Sequence, residues 1–270
     1  MRSQIIKFYN DSDFQRLNSY YNRTTIFNIM NIERRELSHS AFLKWLLDIN
    51  GSHNLDEEPL KKLLRMLVNT DNNNILNEDI LNILLIGDYK IQDFHIETEK
   101  AVESDKNKGR IDIFAKFSIF KENSEKDFKK DVIVIIENKV DSKHHDDQTT
   151  TYKDWAEKEY KDSIIIPIYL TPYPENEKDE IANYFIITYQ YILEHVIEPL
   201  LNMEMDTDTK IILEDYIINL GQAKKQIDDN GKMSNLETIL AVSKKNKKTF
   251  SELLMRYEDL LNSSMVAYYN

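Results

Sequence analysis

The stretch D-V-I-V-I-I-E-N-K-V, residues 131–140, decides the fold. Its first half is a run of β-branched apolar residues, the composition of a strand buried on both faces. Its second half sets Glu137 and Lys139 at the end of that strand. Side chains alternate along a strand, so Glu137 and Lys139 share one face and Asn138 points to the other. A carboxylate and an ammonium at the exit of a buried strand are costly unless they pair, bind a metal or do chemistry.

Working outward, the preceding strand is R-I-D-I-F-A-K-F at 110–117, with Ile111, Ile113 and Ala115 on one face and Asp112, Phe114 and Lys116 on the other. Before it come the polar turn D-K-N-K-G at 105–109 and a strand over 95–104, where the period changes from 3.6 to 2. Residues 121–130 are a charged connector, so strands 110–117 and 131–140 are most simply antiparallel neighbours. After Val140, Asp141 or Ser142 caps a helix over 143–160 that carries Gln148, Tyr152 and Trp155 along one face. Strands follow at 164–171 and 184–189, and Pro167 marks the first as an edge strand or bulged. Helical patterns occupy 190–203, 207–226 and 234–262.

Upstream, 11–31 suits an amphipathic helix. A second helix over 34–48 has the apolar stripe Leu37, Phe42, Trp45, Leu46 and Ile49, and stops at Asn50-Gly51. Glu36, His39 and Ser40 share a face of it. A third helix has Pro59 near its start and Leu60, Leu63, Leu64, Leu67 and Val68 inward. Residues 69–79 are loop-like. With no repeat or low-complexity linker, the chain reads as one α/β domain over 1–270. Its parts are N-terminal helices at 1–90, a mixed-sheet core at 95–190 and C-terminal helices at 190–270.

Composition narrows the function. The 270 residues are 41% hydrophobic and 30% charged, an ordinary globular balance. There is no cysteine, which excludes disulfides and thiolate metal sites and fits a reducing cytoplasm. No signal peptide or membrane-spanning run is legible, so a cytoplasmic protein without a membrane partner is expected. The five glycines are too scattered for a Walker loop or a G-x-G-x-x-G turn, and no G-x-S-x-G elbow occurs. A net charge of −12 counts against nonspecific coating of DNA, but not against an enzyme that meets phosphates through a bound cation.

If the two strands are neighbours, Asp112 and Glu137 come within reach of one divalent cation. Oxygen ligands without Cys or clustered His favour Mg²⁺ or Mn²⁺. Lys139, on the face of Glu137, is placed to orient or deprotonate an attacking water and to offset developing negative charge. That is the minimum apparatus for phosphodiester hydrolysis. The alternative is structural, with Asp112 paired to Arg110 or a lysine and Glu137 paired to Lys139.

R-I-D at 110–112 followed by E-N-K at 137–139 resembles the D-x(n)-E-x-K signature of the PD-(D/E)xK nuclease superfamily, with Ile111 in place of the proline. E-L-S-H-S at 36–40 with His53 behind it resembles the E-x-x-H-S helix of a bacterial branch. Q-T-T-T-Y at 148–152 and Y-L-T-P at 169–172 resemble the pieces that follow the lysine strand. The resemblance covers about 30–225. It implies a restriction-endonuclease-like α-β-β-β-α-β core flanked by helices, and a metal-dependent nuclease with DNA favoured over RNA. Asp112 and Glu137 would be metal ligands with the Asn138 carbonyl, Glu36 would add a further acid, and Lys139 would assist the water. Gln148 and Tyr152 would lie along the substrate edge or hold the lysine, with Arg110 beside them facing substrate. A bacterial antiviral defence role, with a homodimer or a defence-system partner, also rests on this resemblance. The rival reading is a catalytically silent nuclease fold used for binding or regulation.

Other clusters carry less. Glu99 is a weaker candidate than Glu36, and His39 suits helix packing or a place behind the ligands. His144, His145, Asp146 and Asp147 open a helix where acids suit the dipole, so they read as surface. Lys244, Lys245, Lys247 and Lys248 read as a solvated helix face.

Overall fold

The computed structural model describes residues 2–12, 14–15, 24–68, 76, 80–81, 84–85, 87–103, 108–121, 128–140, 146–172, 181 and 183–224. Of 2–5, 128, 146–148 and 221–224 the backbone alone is described. The chain divides into two compact units, Met1–Ile29 with Ile218–Asn270, and Met30–Ile217. In the first, α1 (Arg2–Tyr9) is followed by Phe14, whose ring packs 4.1 Å from that of Phe8. Thr25 and Asn28 cap each other at the start of α2 (Ile26–Met30).

The second unit holds a mixed sheet in the order β1-β2-β3-β4-β5, with strands Lys90–Glu103, Lys108–Lys121, Phe128–Asn138, Ile164–Thr171 and Phe185–Thr188. The first three strands pair antiparallel, and β3, β4 and β5 pair parallel. The same unit holds α3 (Glu36–Leu47), α4 (Glu58–Leu67), α5 (Asp146–Glu159) and, after β5, the helical residues up to 217. This is the restriction-endonuclease-like α/β arrangement, with β3 as the middle strand. Val132 to Ile136 are all buried, which explains a run with no polar alternation. Each such side chain contributes on the order of 1.5–3 kcal/mol relative to exposure.

The two faces of β3 have different coverings. Ile133 and Ile135 pack in one cluster with Phe114, Tyr152, Tyr169 and Tyr184, beneath α5. Asn138, of opposite parity, meets α3 instead, where its amide reaches the Glu36 carbonyl and Ser40.

Several expectations are refined. β1 starts at Lys90 rather than His95, because a bulge with Asp93 at φ 53° breaks the alternation between Gln92 and His95. Pro167 lies in β4, an inner strand, yet β5 pairs only from Ile168 onward, so at Pro167 the strand has one neighbour. Leu37 is exposed, because the buried stripe of α3 runs through His39, Ser40, Phe42, Leu43, Leu46 and Leu47. The helix expected at 190–203 is broken into α6 (Tyr189–Ile192), a π turn (Leu193–Ile197) and α7 (Glu198–Leu200). Pro199 lacks the N–H that would bond the His195 carbonyl, and a wider turn before it accommodates the loss. The expected helix at 207–226 is α8 (Thr207–Lys224). The pattern at 234–262, with Lys244, Lys245, Lys247 and Lys248, and the pair His144 and His145 lie outside the described residues, as do the side chains of Asp146 and Asp147.

Candidate metal centre

The end of β3 is where the polar chemistry gathers. β2 and β3 pair up to Ile113 opposite Ile136, and the next step of that register sets Asp112 opposite Glu137. Glu137 in turn lies opposite Tyr169 on β4. The row therefore crosses three strands on the α5 side of the sheet.

Beyond Ile113 the β2 main chain no longer supplies partners for β3, and side chains take over. The Asn138 N–H donates to Asp112 Oδ2 at 2.7 Å, and the Val140 N–H donates to Glu36 Oε1 at 3.0 Å. Between them the Lys139 N–H donates to the Leu170 carbonyl on β4 at 2.8 Å. Alternate N–H groups of a strand face opposite neighbours, so two carboxylates occupy the side that β2 vacates. Main-chain donors fix both acids in place.

Glu137 is only 4% exposed, and its Oε1 meets Lys139 Nζ at 2.7 Å. Its Oε2 is buried without a hydrogen-bond partner. Burial pushes the Glu137 carboxyl up to about 7, helped by the charge of Asp112 and opposed by Lys139. Burial also raises Asp112 to about 6, against the Asn138 N–H and Lys139 and with the help of Glu99 and Glu36. For Lys139, burial pulls downward, but Glu137, Asp112 and Glu36 outweigh it and raise its pKa above the ordinary value. Lys139 is thus held as an ammonium, which suits orienting and charge-offsetting better than proton abstraction.

The charge count carries the most weight. Three carboxyl groups (Glu36, Asp112 and Glu137) act on one ammonium in a largely buried place, and this excess of acid contributes to the raised values of Asp112 and Glu137. Among the described residues no three acidic or histidine side chains already stand as a ligand set. The pair Asp112 and Glu137, with an orphaned oxygen, nevertheless fits a hard divalent cation, which such sites hold through few carboxylates and several waters.

The other expected residues are placed as follows. Tyr152 is buried, and its hydroxyl accepts from the Arg110 N–H at 3.2 Å. A Cβ on Gly109 would come within 2.5 Å of the Tyr152 ring, so the glycine is what lets helix α5 seat against the start of β2. Gln148 lies on α5, with its side chain outside the described residues. Arg110 is exposed and pairs with Glu99 at 3.6 Å. Glu99 has a left-handed backbone at φ 54°, uncommon for a non-glycine residue, and its charge is felt at Asp112. His39 is buried, with Nδ1 at the Tyr216 hydroxyl and Nε2 at the Glu33 carbonyl, so both ring nitrogens are engaged away from the acids. His53 is buried behind α3, where its Nδ1 accepts from the Leu55 N–H and its ring stands edge-on to Trp45. Burial lowers its pKa.

Sequence reasoning missed Tyr189, and it gave Ser40 no role beyond the helix face it shares with Glu36 and His39. Tyr189 donates to Asn138 Oδ1, and Asn138 Nδ2 donates to Ser40 Oγ at 2.9 Å. The available signal was the serine of E-L-S-H-S, on the same helix face as Glu36.

A family model described as the PD-(D/E)XK nuclease superfamily matches residues 24–250, most of the chain. No curated protein and no solved structure matches it. The chain belongs to the PD-(D/E)XK nuclease superfamily.

Proposed function

We propose, on the premise of that membership, that this chain is a divalent-metal-dependent nuclease whose centre is Asp112, Glu137 and Lys139. The observation that carries the reading is the partnerless Glu137 Oε2 within a buried, acid-rich cluster. Asp112 and Glu137 would hold the ion with the Asn138 main-chain carbonyl, and Glu36 would add negative charge from the end of α3. Mg²⁺ is the expected ion, with Mn²⁺ its substitute. Once bound, it supplies Lewis acidity at a phosphoryl oxygen and a water of lowered pKa.

The chain's own residues do the rest. The Lys139 ammonium orients the attacking water and offsets charge that develops on the phosphoryl oxygens. Arg110, exposed beside Asp112, is available to a backbone phosphate, and Tyr152 fixes the main chain that carries it. Gln148, on α5, is assigned to the substrate edge. DNA is favoured over RNA, and a bacterial defence role, as a homodimer or with a defence-system partner, is supported by family resemblance. A cytoplasmic location belongs to this reading, and a chain without cysteine fits it. Among the described residues no helix is long and apolar enough to cross a membrane.

The net charge of −12 favours a second reading, a nuclease fold that binds or regulates without turnover. Incubation of the purified protein with plasmid, linear and single-stranded DNA and with RNA, in Mg²⁺, Mn²⁺ or EDTA, decides between them. Metal-dependent cleavage that is lost in Lys139→Ala supports the nuclease. No cleavage under any condition, or cleavage unchanged in that variant, overturns it.

A further inference from the structure

The Asn138 side chain points away from the acids, yet it is the best-satisfied buried amide near them. Its Nδ2 donates to the Glu36 carbonyl at 3.2 Å and to Ser40 Oγ at 2.9 Å, and its Oδ1 accepts from the Tyr189 hydroxyl. The Glu36 carbonyl can only accept, which fixes the amide orientation and makes Tyr189 the donor. Asn138 is fully buried, and Ser40 and Tyr189 are buried with it. The amide therefore ties the end of β3 to the first turn of α3 and to the start of α6.

The first turn of α3 is where Glu36 sits, and α3 begins without a side-chain cap. Its N-terminus is held instead from below, by the Asn138 amide on the Glu36 carbonyl and by the Glu36 carboxylate on the Val140 N–H. A helix end free to fray would carry that carboxylate with it. The anchor fixes the distance between Glu36 and the Asp112/Glu137 pair. The Tyr189 ring also stands edge-on to His39 of α3 at 5.2 Å, a contact that needs the ring and not the hydroxyl.

We propose that Ser40 and Tyr189 are positioning residues that act through the Asn138 carboxamide to hold the Glu36 carboxylate at the metal centre, and so set the affinity of that centre for its divalent cation. The inference rests on the metal centre described under the proposed function, but its readout needs no cleavage.

The test is titration of the full-length chain with Mn²⁺ by calorimetry, comparing wild type, Tyr189→Phe, Ser40→Ala, Glu36→Gln and the double variants. Tyr189→Phe keeps the ring and removes only the hydroxyl. Loss of one such hydrogen bond is expected to weaken Mn²⁺ binding about 3- to 10-fold. The same substitution in the Glu36→Gln background is expected to have no further effect, because the carboxylate it positions is gone. Ser40→Ala probes the anchor from its other side and keeps the test decisive if Tyr189→Phe does not fold. Unchanged affinity in both single variants, or an equal loss with and without Glu36, overturns the proposal. A wild type that binds no Mn²⁺ overturns it together with the metal centre. Mn²⁺ binding without cleavage of any nucleic acid overturns the nuclease reading alone.

Discussion

Strand β3 carries an acid–lysine pair at each end, and the two pairs behave in opposite ways. Near its start Lys129 meets Asp93 of the β1 bulge at 2.9 Å, with side chains 52% and 68% exposed. Near its finish Lys139 meets Glu137 at 2.7 Å, with side chains 10% and 4% exposed. At the open end the Lys129 hydrogen bond and charge hold the Asp93 carboxyl below its usual range. At the closed end burial lifts the Glu137 carboxyl well above its usual range despite an equally short contact. Contact length is therefore a poor guide to what a pair does, and solvent decides. An open cleft at the first end is lined by three acids (Asp93, Asp131 and Asp162) and three lysines (Lys116, Lys129 and Lys130), so its charges balance. The closed end has three acids to one lysine. Only the closed end calls for an outside cation.

The largest effect that could break this contrast is on turnover. Lys139→Ala is expected to lower the cleavage rate about 10²- to 10³-fold, the scale of removing one preorganised group that stabilises developing charge. Lys129→Ala, which removes the same charge from the other end of the strand, is expected to leave the rate at the wild-type value. Single-turnover cleavage in Mg²⁺ measures both. Equal losses in the two variants would mean that the lysines serve only a general attraction for nucleic acid.

The closed end was more legible in the sequence than the connections that hold it. Asp112, Glu137 and Lys139 could be brought together because a both-faces-buried strand, its antiparallel neighbour and the two-residue alternation leave one register that works. The opposite parity of Asn138 followed from the same alternation. Nothing in the local pattern joins Glu36 to Val140, because that contact spans 104 residues and depends on where α3 begins against the sheet. Tyr189 was hidden for the same reason, as the last residue of an apolar strand pattern whose hydroxyl turns to Asn138. The Asp93 bulge hid the first turns of β1 by breaking the alternation that reveals strands, and Pro199 split a helix whose hydrophobic spacing continues through it.

A second measurable effect lies in the stability of the metal-free chain. The folded carboxyls of Asp112 and Glu137, near 6 and 7, bind protons more tightly than in the unfolded chain. The native state therefore holds more protons between about pH 4 and 7, and its stability falls as pH rises through that window. The expected loss is on the order of 5 kcal/mol. Thermal melts in EDTA should show the fall, and saturating Mg²⁺ should remove it by compensating the same charge. Glu137→Gln should raise the EDTA melting temperature at pH 8, whereas Lys139→Met should lower it by leaving three carboxylates with no cation. A metal-free chain most stable at pH 8 would show that the acids are not buried as described.

The smallest effect is the one that most sharpens the contrast, because its sign is reversed. Asp93 has a depressed carboxyl, so its pairing with Lys129 contributes stability that is present above the unfolded value and lost as pH falls through the folded one. Both partners are well exposed, so salt screens them, and Ser118 shares the Asp93 carboxylate at only 3.4 Å while holding Asp131 at 2.6 Å. Asp93→Asn retains a residue that tolerates φ 53° and removes only the charge. It should therefore leave the pH 8 melting temperature in high salt at the wild-type value, and produce at low salt a slight loss that vanishes on acidification. Glu137→Gln should act in the opposite direction at every concentration of monovalent salt, since a buried pair is screened far less than an exposed one. Melts of the two variants at pH 4 and 8, in low and high salt, read both signs directly. If Asp93→Asn also raised the pH 8 melting temperature, the open end would be under the same electrostatic stress as the closed one, and charge balance, not burial, would have to explain where the centre lies.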